Sequence, residues 1–406
     1  MNKKLSILLI LVCFLFAVSI AINWQNNRLL TGRIDRLEKL VETLKIIPPA
    51  KEVKIGGVAC LTGNAATYGA STKNGCVLAF KAVNAEGGID IGGTKYLINY
   101  IFEDDQGSPE VAANAFRKLI DQDEVVAILG SVMSNCTLAG APIAQEAGVP
   151  VISPTSTAVQ VTLTGDYIFR ACFLDPFQGA VVASFSYNDL KAKTAAVIFD
   201  NANDYTKGLA EAFKESFEKL GGKVVAYESF TDEAKTIDFS AQLTNIKAAN
   251  PEVIFLDSYY SAAALEAKQA RGLGITVPFV GADGWDSAEF PKLGGEAVEG
   301  GHFCNHYSPE DPRPIVQNFV KKYAETYGQT PDALATLAYD AALILIDSLQ
   351  RAGSTDGAAI RDAIFATNLE CVSGQITFDK NGDPIKKAAV IKVENGKFVF
   401  VKFVQP

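Results

Sequence analysis

The sequence is poor in the residues that build catalytic and metal centres. It has two histidines, His302 and His306, four apart in a Gly/Pro-rich region with no carboxylate at helical spacing, and they read as structural. Its seven cysteines (Cys13, Cys60, Cys76, Cys136, Cys172, Cys304 and Cys371) never fall in C-x-x-C spacing. No metal site and no cofactor are therefore expected. The cysteines read mostly as small buried apolar residues, and their spacing leaves any pairing open. There is no G-x-S-x-G, no G-x-x-x-x-G-K-[ST] and no H-E-x-x-H, and no glycine cluster follows a strand in G-x-G-x-x-G spacing, so catalysis is not expected. Glu103-Asp104-Asp105 reads as a solvated rim or a turn more readily than as a cation site or an acid/base pair. Positive charge is scarce too: residues 51 to 406 hold 30 Lys/Arg against 43 Asp/Glu, a net of −13. A body that acidic excludes the basic footprint that nucleic acid needs.

The N-terminus is different. Lys3-Lys4 precede an apolar run from Leu5 to Ile22, broken only by Ser6, Cys13 and Ser19. Its 18 residues are near the minimum for a bilayer span and long for a signal-peptide core, while Ser19-Ile20-Ala21 offers a cleavage spacing. Leu30, Ile34, Leu37, Val41 and Leu44 then form a short a/d stripe that ends at Pro48-Pro49. It is either a two-heptad coiled coil or a single amphipathic stalk helix. An organised stalk beside the apolar run favours an uncleaved anchor over 1–22 with a stalk or linker over 23–50.

From Lys51 the pattern is α/β. Strands at Val53 to Val58, Ile98 to Glu103, Val125 to Leu129 and Val149 to Ile152 alternate with helices, predicting one doubly wound parallel sheet. A second series follows Asp175-Pro-Phe-Gln-Gly, with strands at 195–199, 223–230, 253–256 and 277–280. Helices at 313–327 and 331–351 return to the first lobe, and the tail from Gln375 to Val404, with its Asn381-Gly382 turn, reads as β-hairpin structure. The expectation is two doubly wound parallel-sheet lobes preceded by an N-terminal apolar helix and a short stalk helix.

The segment Val125 to Thr157 is a βαβ unit, so both of its polar loops leave the same carboxyl edge of one sheet, where open α/β sheets bind ligands. Ser134, Asn135, Thr155, Ser156 and Thr157 can converge there, although capping and turns are the commonest use of such residues. The first loop feeds a helix N-terminus, which favours a carboxylate. Strand ends elsewhere supply Tyr68 in the first lobe and Tyr205, Tyr259, Asp283 and Trp285 in the second. Together they describe a cleft: hydroxyls and N–H groups for a carboxylate on one side, an acid for an ammonium on the other, and aromatic walls for an apolar side chain.

In VKIGGVACLTGNAATYG, NAEGGI with FEDDQGSPEVA, GSVMSNCT with VPVISPTST, FRACFLDPFQG and YDAALIL, the chain from Lys51 onward resembles the type I periplasmic binding proteins of branched-chain amino acid ABC transporters, the leucine/isoleucine/valine-binding protein family. The resemblance implies two lobes joined by a three-strand hinge, with lobe 1 over 51–172 and 306–368 and lobe 2 over 173–305 and 369–406. It implies an extracytoplasmic protein that captures an amino acid and delivers it to an ABC permease and ATPase complex. Ser134 and the hydroxyl and N–H of Thr157, joined by Tyr259, would hold the carboxylate. The Thr155 carbonyl and Asp283 would hold the ammonium, and Tyr68, Met133, Tyr205 and Trp285 would line the side-chain pocket. Asp283 stands where the family usually has Glu, and Thr155-Ser156 where two Ala are common, so the pocket is more polar and aromatic amino acids, amides or urea enter as ligands. The same fold also serves as a membrane-tethered sensor for such ligands.

Overall fold

In a computed structural model of the chain, residues 51–405 are described, together with Arg36, Leu37 and Lys39, which are helical and exposed. The expected apolar anchor and the rest of the stalk lie outside the described residues.

The first sheet is built from β1 (Lys51–Ala59), α1 (Ala66–Ala85), β2 (Ile89–Ile91), β3 (Thr94–Asp104), α2 (Pro109–Asp121), β4 (Ile128–Leu129), α3 (Ser134–Ala147), β5 (Val151–Ser153) and β6 (Ile168–Arg170). Its strand order is β2-β3-β1-β4-β5-β6, parallel except for the antiparallel pair of β2 with β3. Successive strand residues point to opposite faces, and the core divides accordingly. Ile128 and Val151 pack with Phe116 of α2 and Ala141 of α3, whereas Leu129 and Ile152 pack with Phe80 of α1 on the other face.

The chain then leaves for a second sheet through Ala171, Cys172 and Phe173. There follow α4 (Asp175–Ser184), β7 (Thr194–Asp200), α5 (Asp204–Lys219), β8 (Lys223–Phe230), α6 (Ser240–Ala249), β9 (Val253–Asp257), α7 (Tyr260–Gly272), β10 (Phe279–Gly281), α8 (Glu289–Gly294) and β11 (His302–Asn305). All five residues of β9 are buried, as a strand covered on both faces requires. After β11 the chain returns to the first lobe for α9 (Pro314–Tyr327), α10 (Ala333–Ala352), α11 (Gly357–Phe365), β12 (Asn368–Cys371) and β13 (Gly374–Thr377). A third crossing brings β14 (Ala388–Glu394) and β15 (Lys397–Val404) to the second sheet, whose order is β15-β14-β11-β10-β9-β7-β8. Helices α1 and α10 lie so close that a Cβ on Gly75 would meet the Ala335 carbonyl oxygen at 2.1 Å, so only glycine fits there.

Several elements differ from the sequence expectation. The helix of the Val125–Thr157 βαβ unit starts at Ser134, and the strand before it narrows from Val125–Leu129 to Ile128–Leu129. Strand β2 is only three residues long and turns on Gly92-Gly93, too short for periodicity to register. Asn381-Gly382 lies in a turn closed by a single antiparallel bridge, Phe378 with Pro384, and the long antiparallel pair of β14 and β15 turns at Asn395-Gly396, both with positive φ. The β12–β13 pair, expected in the second lobe, buries Cys371 and Ile376 in the first lobe's core. The third crossing therefore lies after Thr377, beyond the 368/369 boundary that the resemblance implied. The six cysteines from Cys60 to Cys371 are all buried and unpaired.

Candidate functional site

The two loops at the carboxyl edge of β4 and β5 are tied together by their own hydroxyls. The Ser131 carbonyl accepts hydrogen bonds from Ser153 Oγ at 2.8 Å and Thr137 Oγ1 at 3.1 Å. The Val132 carbonyl accepts from Thr155 Oγ1 at 2.9 Å and Ser156 Oγ at 3.1 Å. Ser156 also bonds Thr137 Oγ1 at 2.7 Å, so its hydroxyl is engaged within the fold. The Glu103-Asp104-Asp105 triplet supports the same edge: Asp104 Oδ1 accepts from the Leu61 and Gln106 amides, Asp105 accepts from the Ser131 hydroxyl, and Glu103 pairs with Lys118. At the start of α3 the N-cap Met133 supplies no side-chain cap and Asn135 Oδ1 takes the Cys136 amide at 2.9 Å, which leaves the other first-turn N–H groups, of the kind that bind anions. Ser134, buried at that position, accepts from the Ala158 amide at 3.3 Å. Thr157 is buried with its hydroxyl beside the buried Asp175 carboxyl, whose value burial raises and the Thr157 hydroxyl lowers.

In the second lobe the strand β10 ends at Gly281 and the chain turns through Asp283. Its Oδ1 accepts from Tyr205 Oη at 2.8 Å and from Gln178 Nε2 at 3.0 Å, and its Oδ2 meets His306 Nε2 at 2.8 Å. The Asp283 amide in turn donates to Gln178 Oε1 at 3.0 Å. Burial, and then the Asp283 charge, pushes the Tyr205 phenol well above its ordinary value, so Tyr205 stays a neutral donor. Tyr205 stacks on Tyr259 with ring centroids 5.2 Å apart, and Tyr68 of the first lobe stands edge-on to Tyr259 at 5.8 Å. The Tyr68 hydroxyl crosses between lobes, donating to the Gly284 carbonyl and accepting from the Tyr260 amide.

Between the lobes lies a cavity lined by Tyr68, Val132, Met133, Ser134, Thr155, Tyr205, Tyr259, Asp283, Gly284 and Leu334. Seven of the ten residues that the sequence singled out line it: Tyr68, Met133, Ser134, Thr155, Tyr205, Tyr259 and Asp283. Ser156, Thr157 and Trp285 do not. Trp285 is fully buried, donates from Nε1 to the Leu256 carbonyl at 3.1 Å and stacks on Phe290. The indole lies over the backbone of Gly281, where a Cβ would meet the ring at 2.1 Å. That glycine draws the side chain into the lobe and away from the cleft. Val132, Gly284 and Leu334 line the cavity without having been singled out, as apolar or backbone surface that carries no chemical signal. Gln178 and His306, which grip Asp283, are visible only once β11 and α4 are brought beside β10.

The periplasmic binding protein family model matches residues 52–397. The Leu/Ile/Val-binding protein homolog 3 of Brucella melitensis is 30% identical over 352 residues, 86% of this chain and 93% of that protein. Among solved structures, the leucine-binding protein LivK of Thermotoga maritima superposes with a TM-score of 0.82 at 39% identity, covering 87% of this chain and 99% of that one. The LivJ substrate-binding protein of Streptococcus pneumoniae, solved with isoleucine, gives 0.82 at 33% identity and covers 88% and 100%. A match that spans nearly all of the described body, with relatives of this identity and coverage, leads to one conclusion: the chain belongs to the periplasmic binding proteins, and among them to the type I binding proteins of branched-chain amino acid transporters.

Proposed function

We propose that this protein captures a free amino acid, branched-chain or related, in the inter-lobe cavity outside the cytoplasm and delivers it to the permease and ATPase of an ABC importer, without catalysing a reaction. The observation that carries the reading is the polarity of the cavity. Its first-lobe side has the uncapped start of α3, with Ser134, and the Thr155 loop, groups suited to a carboxylate. Its second-lobe side has the carboxylate of Asp283, suited to an ammonium. Tyr68, Val132, Met133, Tyr205, Tyr259 and Leu334 supply apolar surface between them. In this reading Thr157, which lies behind the cavity wall, joins the carboxylate side only when a ligand is present, and the Thr155 carbonyl joins Asp283 at the ammonium. The relatives support the class: one is described as a Leu/Ile/Val-binding protein homolog and another was solved with isoleucine.

The test is a thermal-shift screen against the twenty common amino acids with urea, an aliphatic amide and benzoate as comparison ligands. A ligand bound only by the folded state raises the melting temperature, by about 2.7 kcal/mol of stabilisation at a hundred times its Kd. A shift with one or a few aliphatic amino acids is expected; no shift with any amino acid contradicts the proposal.

A further inference from the structure

His306 sits where the lobes are joined, just past the end of β11, and touches both the first crossing and the binding cavity's acid. Its ring stacks on Phe173 of the first crossing, centroids 3.8 Å apart and 28° between planes. Its Nε2 lies 2.8 Å from Asp283 Oδ2, and its side chain is 1% exposed. A carboxylate can only accept, so Nε2 carries the proton; Nδ1, buried without a partner, is the bare nitrogen. With Tyr205 and Gln178 on Oδ1 and His306 on Oδ2, three of the roughly four lone-pair positions of Asp283 are filled. One position on Oδ2 is left, on a residue that lines the cavity.

We propose that His306 is a positioning residue for ligand recognition: it fixes the Asp283 carboxylate so that a single acceptor position is left for the ligand's ammonium, and preference for an amino over a des-amino ligand depends on it. The inference rests on the amino acid reading of the cavity. A free carboxylate at this place would rotate about its χ2 and share its acceptors between the cavity and the hinge; the imidazole, clamped by Phe173, removes that freedom. The same contact links recognition to pH. Burial holds the His306 ring below its usual value, partly offset by Asp283, with buried Lys386 pushing the same way as burial. Asp283 in turn acts on Cys172, whose thiol burial pushes up to about 12, on the buried thiol of Cys304 and phenols of Tyr205 and Tyr259, and on the carboxyls of Asp175, Asp257 and Asp286, all raised first by burial. A ligand ammonium on Asp283 opposes protonation of His306, and by linkage protonation of His306 opposes the ligand.

The experiment is calorimetric titration of wild type, His306→Gln and His306→Leu with L-leucine and with 4-methylpentanoate, its analogue without the amino group, from pH 7.5 to 5.0, with circular dichroism confirming the fold. Gln keeps an uncharged N–H donor; Leu keeps volume without one. Because burial holds the ring below its usual value, wild-type affinity for leucine is expected to fall only at the acid end, about threefold by pH 5.0, and that for the analogue to change much less. His306→Gln should leave the leucine profile nearly flat across the range. His306→Leu should lose roughly tenfold or more for leucine at pH 7.5 while the analogue changes about twofold or less. Equal losses for both ligands in His306→Leu, or a His306→Gln profile as steep as wild type, would overturn the positioning role while leaving the amino acid reading intact. Wild type that binds both alike, or that binds neither leucine nor any other amino acid of the thermal-shift screen, would remove the amino acid reading and the inference together.

Discussion

Replacing Asp283 by Asn keeps the side chain's size and one acceptor oxygen but removes the charge. If the ligand's ammonium is held there, it is left poorly compensated in a site closed off from water. Truncating one partner of such a buried charged pair costs about 2 to 5 kcal/mol, roughly 30-fold to several thousand-fold in affinity. Asp283→Asn should weaken the best amino acid ligand in that range while changing the des-amino analogue far less, as measured by calorimetry. A mutant that binds normally would mean that Asp283 does not receive the ammonium. Most of the cavity was legible residue by residue, because hydroxyl and aromatic residues at strand ends are visible as composition. What escaped was packing that depends on distant residues: the burial of Trp285 over Gly281, the engagement of the Ser156 hydroxyl by Ser131 and Val132, and the convergence of Gln178 and His306 on one carboxylate.

Among the elements, α10 is held at its start by both lobes. Its first turn is capped by Asp332, whose Oδ1 accepts from the Ala335 amide at 2.8 Å and whose Oδ2 accepts from Ser71 Oγ at 2.5 Å. Asp286, from the loop after β10 in the other lobe, accepts from the Ala333 amide at 2.7 Å and from Asn305 Nδ2 at 2.9 Å. Two carboxyls thus share one helix N-terminus. Burial raises both of them, and Asp286 adds to the rise in Asp332 as Asp283 does to that in Asp286. A raised folded-state carboxyl contributes stability that is fully present below the unfolded value, about 4, and lost as pH rises through the folded value. Asp286→Asn cannot ionise, so its melting temperature relative to wild type should improve between pH 5 and pH 8. A difference that stays constant or worsens would show that the ionised Asp286 is not penalised. The helix itself was evident in its apolar pattern; the second cap was not, because it comes from a residue 47 positions away in the chain.

For the whole molecule, the lobes meet through bonds that no single lobe contains: Tyr68 to Gly284, Tyr260 Oη to the Asn64 carbonyl at 2.8 Å, Thr67 Oγ1 to Ser287 Oγ at 3.1 Å, and Asp286 to Ala333. The two-sheet plan was readable from alternating apolar runs, whereas the third crossing was misplaced because β12 and β13 carry too few residues to show which core they serve. We expect the N-terminal apolar run, Met1 to Ile22, to be retained, so that the protein stays with membranes after a high-salt wash, which strips electrostatic attachment but not a spanning helix. N-terminal sequencing that begins near Ile22 would contradict retention. The central claim is capture of an amino acid between the lobes. A ligand that contacts both lobes binds the closed arrangement better and shifts the population towards it. Small-angle X-ray scattering with and without a saturating concentration of the amino acid that gives the largest thermal shift reads this directly. A smaller radius of gyration with ligand is predicted; scattering profiles that superimpose at saturation would contradict capture by closure.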